Sequence, residues 1–135
     1  MRRTTQKELE GVLQLDGKGR FSHFVKRVVD EEQAWGLWQD GWALMADSQG
    51  VTNFPLWPAE EYAKLCATKG WSEFEPKALT LESLLDELAF ELKGEGVRVA
   101  VFPVPSDTAG PDQGVSVSLD ELWAALRAEM EKYEL

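Results

Sequence analysis

Residues 34–63 read AWGLWQDGWALMADSQGVTNFPLWPAEEYA, and the rest of the chain is best understood outward from them. Four of the six tryptophans lie here: Trp35, Trp38, Trp42 and Trp57. Ala34 to Gln39 alternates loosely and reads as a strand, with Gly36 leaving room for a neighbouring ring or backbone. Asp40-Gly41 is a two-residue hairpin signal, because a type I′ turn needs positive φ at both central residues. Trp42 to Ala46 is the returning strand. Asp47 to Gly50 turns the chain again, and Val51 to Leu56 follows as a third strand. Pro55 offers no N–H to a ladder, which places that strand at an edge or at its own end. Pro58 suits the first position of a helix running from Ala59 to about Thr68.

Before this segment, Thr5 to Leu13 reads as a short helix capped by Thr4 or Thr5. Asp16-Gly17-Lys18-Gly19 reads as a plain turn; it lacks the residues of a phosphate loop. Arg20 to Glu32 is a second helix with Phe21, Phe24, Val25, Val28 and Val29 on its apolar stripe. His23, the only histidine, falls opposite that stripe and is expected in solvent.

Downstream, Lys69-Gly70 caps the Pro58 helix, and Trp71 to Pro76 is a connector with Trp71 and Phe74 as anchors. Thr80 caps an amphipathic helix from Leu81 to Lys93 whose leucine stripe leaves Phe90 on the opposite face. Val97 to Val104 is the most hydrophobic strand, ended by Pro103 and Pro105. Residues 106–114 form a loop rich in Gly, Pro, Asp and Ser. Ser118 caps the last helix, with Glu121 at the capping-box position. These elements amount to one α+β domain over residues 1–135. The expected sheet has four mostly antiparallel strands, a three-stranded meander plus the hydrophobic strand, with helices mainly on one face.

Composition bounds the function. The chain carries 24 acidic and 14 basic residues, a net charge of −10. That disfavours a nucleic-acid backbone as partner and permits a basic protein. One cysteine excludes an internal disulfide and a multi-cysteine zinc site, and Cys66 falls on the apolar face of its helix. No apolar run approaches a membrane span and no secretory leader is visible, so a cytoplasmic protein is expected. No metal, cofactor or catalytic motif is legible. Glu60 and Glu61 have a sufficient structural role in the first turn of a helix, complementing its dipole.

The segments GLWQDGWAL (36–44), FPLWPAEEYA (54–63), VAVFP (99–103) and ELWAALRAEMEKYE (121–134) together resemble the small bacterial proteins grouped as domain of unknown function 2750. The resemblance covers roughly Gly19 to Glu134, and FPLWPAEEYA is its most specific part. It implies the fold and carries no catalytic residue across. The element order is also similar, more weakly, to the N-terminal domain of SseB-type proteins and to toxin-immunity domains.

Two functions follow as expectations. The first is an immunity-like interaction module that meets a basic partner through an acidic face and an aromatic patch near Trp38, Trp42, Trp57 and Phe90. The second is a small-molecule site or enzyme with a pocket beside the 106–114 loop, lined by Trp57, Trp71 and Phe102. There Glu60, Glu61 or His23 would do acid-base work. A homodimer burying its own aromatic patch is compatible with either.

Overall fold

A computed structural model describes residues 5–46, 49–67, 71–88, 96–103 and 115–132. Two helices open the chain, α1 (Gln6–Leu13) and α2 (Gly17–Glu31). Thr5 caps α1 by accepting the Glu8 N–H at 3.1 Å. Asp16 caps α2 by accepting the Gly19 N–H at 2.8 Å. The expected Asp16–Gly19 turn is therefore the cap and first turn of α2, because the Asp16 carboxylate satisfies a donor left open there. Glu32 ends α2 in the left-handed region, at φ 56°.

β1 (Gln33–Trp38) does not start a meander. It pairs antiparallel along its whole length with β4 (Glu75–Thr80), a strand inside what reads in sequence as connector and helix cap. Pro76 stands opposite Leu37 and has no N–H, so the hydrogen-bonded pairs are the alternate ones: Trp38–Glu75, Gly36–Lys77 and Ala34–Leu79. The Leu81 N–H continues that series by donating to the Glu32 carbonyl at 2.8 Å. Trp35 and Leu37 turn their backbone groups to the other edge of β1. There Trp35 exchanges hydrogen bonds with Trp57 at 2.9 and 2.8 Å, and the Leu37 carbonyl accepts from Ala43 at 2.8 Å.

The second sheet has four strands in the order β2 (Met45–Ala46), β3 (Thr52–Leu56), β5 (Arg98–Val101) and β6 (Val115–Val117). It is mixed, not mostly antiparallel: β2–β3 and β5–β6 are antiparallel, and the central pair β3–β5 is parallel. β3 is an interior strand despite Pro55. The Leu56 carbonyl faces β5, accepting the Phe102 N–H at 2.8 Å, and Trp57 faces β1. By alternation Pro55 faces the β1 side, in the gap between the β2 pairs and the Trp35–Trp57 bridge, where no donor is required. The expected returning strand 42–46 shrinks to Met45–Ala46, and Trp42 keeps only an isolated bridge to Trp38.

The Asp40-Gly41 turn differs from type I′. Asp40 takes φ 56°, Gly41 does not take a positive φ, and Trp38 bridges Trp42 across a three-residue loop. α3 (Glu60–Cys66) starts later than expected: Ala59 is its N-cap, and Pro58 precedes it. α4 (Leu81–Ser83) is capped by the Thr80 hydroxyl and widens into a π-type turn over Leu84–Leu88. The expected remainder of that helix, including Phe90, and the 106–114 loop lie outside the described residues. α5 (Leu119–Glu131) starts at the foreseen cap, with the Ser118 hydroxyl accepting from the Glu121 N–H at 3.1 Å.

The core gathers Phe24 and Val28 of α2, Leu37, Phe54, Leu56, Trp57, Tyr62, Val99, Val101, Phe102, Leu122 and Leu126. Among the described residues no helix is long and apolar enough to cross a membrane.

Candidate functional site

The residues singled out in sequence separate into two places. The first lies at the carboxyl ends of the parallel pair β3–β5. Trp57 and Phe102 follow those two strands, and both are 0% exposed. Phe102 takes φ 59°, a costly value for an aromatic residue. That reversal brings the next carbonyl, of Pro103, to the Trp57 indole N–H at 2.8 Å and the Cys66 thiol at 3.4 Å. The Arg20 Nε donates to the Phe102 carbonyl at 3.3 Å, and its Nη1 donates to the Leu15 carbonyl at 2.8 Å. Trp71 packs its ring edge-on to Trp57 at 6.1 Å.

His23 joins this place, contrary to the expectation of a solvated side chain. It is half-buried, with its ring 6.3 Å from Tyr62 and 6.2 Å from Phe102. The helical wheel set it opposite the stripe of α2 correctly, but α3 and the Phe102 turn cover that side too. Arg27, one turn along the same helix, is buried and pairs with Glu31 at 3.2 Å and Glu8 at 3.8 Å.

Cys66 is inert as a nucleophile. Burial pushes its thiol from 9.0 up to about 12, against a smaller opposite pull from the Trp57 side chain. Among the described residues no three His, Cys, Asp or Glu side chains are grouped to hold a metal ion.

The second place is a surface. Of the six tryptophans Trp57 alone is fully buried; the other five are half-buried. Trp38 and Trp42 meet edge to face at 5.0 Å, and Trp42 leans on Phe54 at 5.6 Å. Gly36 makes this possible. A Cβ there would lie 2.9 Å from the Trp42 ring, so only glycine admits the indole without a shift. The Lys77 ammonium sits 3.8 Å from the centre of the Trp38 ring and 5.5 Å from that of Trp42. The pair thus already holds one cation on its π faces.

Beside it runs an open groove of about 650 Å³ between α3 and the start of β4, lined by Glu60, Lys64, Glu73, Phe74, Glu75 and Pro76 among others. Glu75 pairs with Trp38 across the ribbon, and the Gln39 amide donates to Glu73 at 3.1 Å. The groove and the aromatic pair are therefore adjoining parts of one surface. Sequence reasoning missed Lys77, Glu73 and Glu75, because nothing local marks β4 as a strand.

Searches of curated proteins and of solved structures each returned no match. A family model described as protein of unknown function (DUF2750) matches residues 21–126, well over half of the chain, and the protein belongs to that family.

Proposed function

We propose that this protein is a non-enzymatic, immunity-like binding module that docks a basic protein partner on the surface formed by Trp38, Trp42, Glu73 and Glu75. The observation that carries this reading is the state of Trp38 and Trp42. Two indoles in edge-to-face contact stay partly exposed and hold a cation, while Trp57 nearby is withdrawn into the core. Large rigid aromatics beside carboxylates suit Arg and Lys side chains of a partner, and the net charge of −10 steers a basic protein towards the molecule.

The test is a pull-down of the tagged protein from its own organism, at low and high salt, beside a Trp38→Ala/Trp42→Ala variant. The expected result is a basic partner that salt releases and the variant fails to hold. A protein that repeatedly emerges alone, or a partner indifferent to the variant, contradicts the reading. Light scattering after size exclusion distinguishes self-pairing through the same patch.

One observation favours a second reading, a small-molecule site. Phe102 is strained at the carboxyl ends of parallel strands, where ligands of α/β sheets bind. A metabolite that raises the unfolding temperature of the protein but not of an Arg20→Gln variant would support it.

A further inference from the structure

Resting on the reading above, we infer that the outer edge of β4 is the docking rail for one extended, basic segment of the partner, which adds to the β1–β4 ribbon as a third strand. The argument starts from backbone parity. Since Glu75, Lys77 and Leu79 bond to β1, the intervening residues face away from it. The Pro76 carbonyl, both groups of Ala78 and the Thr80 N–H therefore point outward. Among the described residues no strand pairs with them. Main-chain groups spaced two residues apart are matched by an extended chain, not by a helix.

Side chains select the occupant. Ala78 and Thr80 are exposed and small, so a neighbouring backbone can approach. Pro76, Glu75 and Lys77 are residues that discourage indiscriminate pairing at sheet edges. The Lys77 charge, however, is drawn back over Trp38. The acids Glu60, Glu73 and Glu75 then dominate the groove that runs beside the beginning of the strand, against Lys64. An added strand with basic side chains at alternate positions would lay them along those carboxylates while its backbone bonds to Ala78.

The test uses the full chain, labelled for amide NMR and titrated with an acetylated, amidated peptide of alternating Val and Lys, six residues long. Its Val–Glu counterpart and an alternately N-methylated Val–Lys peptide are the comparisons. The expected result is a salt-sensitive shift of the Ala78 and Thr80 amides, with no response to the Glu peptide. N-methylation, which blocks strand pairing without altering the protein, should abolish it. Ala78→Pro removes an outward donor and no ladder bond, and should weaken binding about three- to tenfold, the loss of one hydrogen bond.

Lys-peptide binding that ignores both N-methylation and Ala78→Pro overturns the edge and leaves the basic-partner reading standing. Equal binding of the Glu peptide, or no binding at millimolar peptide, overturns the edge outright, and the pull-down then decides the wider reading alone. Self-association that Ala78→Pro removes would show a second copy on the rail and likewise overturn the basic occupant.

Discussion

The outward edge of β1 uses tryptophan in opposite ways at its two ends. At Trp35 the strand is bridged to Trp57, whose ring is withdrawn completely and whose indole N–H is committed to the Pro103 carbonyl. At Trp38 the strand is bridged to Trp42, and both rings remain at the surface with a lysine over them. The same residue type, in an antiparallel bridge each time, serves the core at one end and a surface at the other. What separates them is what lies above. The Trp57 end is closed by α3 and the Phe102 turn, and the Trp38 end opens onto a groove.

The sharpest way to break this comparison is to truncate each end. Trp57→Ala removes a fully buried ring and should cost about 3–5 kcal/mol in urea unfolding. Trp38→Ala should cost about 1–2 kcal/mol, since its ring is only partly buried. Equal losses would mean that the Trp38 end is core as well, and the surface reading would lose its basis.

The closed end should also show itself in pH. The Cys66 thiol rises from 9.0 to about 12 on folding, so the folded state keeps a proton that the unfolded state gives up. Stability is then unaffected below about pH 9 and falls between pH 9 and 12, by about 1.4 kcal/mol per pH unit from this group. Unfolding measured across that window should have a shallower pH slope in Cys66→Ala than in the parent. An unchanged slope would mean that water reaches the Cys66 thiol in the folded protein.

Features legible in the sequence are those set by near neighbours. Thr5, Thr80 and Ser118 cap helices because each cap bond reaches three residues along the chain, within view of a local pattern. Gly36 announced a close approach, and Trp42 makes it. The illegible features depend on distant pairing. Glu75–Thr80 has no alternation of apolar residues because an edge strand exposed on most of its length needs none. The parallel β3–β5 pair joins segments separated by α3 and α4, and the antiparallel meander was the nearer alternative. His23 was misplaced because a wheel describes one helix, and the second face of α2 is covered by Tyr62 and Phe102 from elsewhere. The aromatic pair Trp38–Trp42 could be named in advance; its acidic flank could not, since Glu73 and Glu75 reach it only through β4.

A gentler probe of the open end is Gly36→Ala. The new Cβ would stand 2.9 Å from Trp42 Cζ3 and 3.0 Å from Cε3. The ring is half-exposed and can tilt away, so the cost should be about 1–2 kcal/mol, at the low end of overpacking. Trp42 would move into water, and the tryptophan emission should shift to the red. Emission that stays put together with a larger loss would mean that Trp42 is held rigidly and is not an adaptable surface.

The smallest effect is the most informative about binding. Lys77→Ala deletes the ammonium above Trp38 and should lower stability by only about 0.5–1 kcal/mol, the worth of an exposed cation–π contact. In the free protein Lys77 occupies the Trp38 face, so a partner's Arg or Lys that reaches that ring must displace it. Removing it vacates the ring and also takes one positive charge from beside Glu75, and both changes favour a basic partner. The variant should therefore be slightly less stable and yet bind the alternating Val–Lys peptide more tightly, with the Trp38 indole resonance moving further on titration. Weaker binding would mean that Lys77 positions the indoles for a ligand of another kind, and the cation-recognising role of the Trp38 end would fail while its exposure stood.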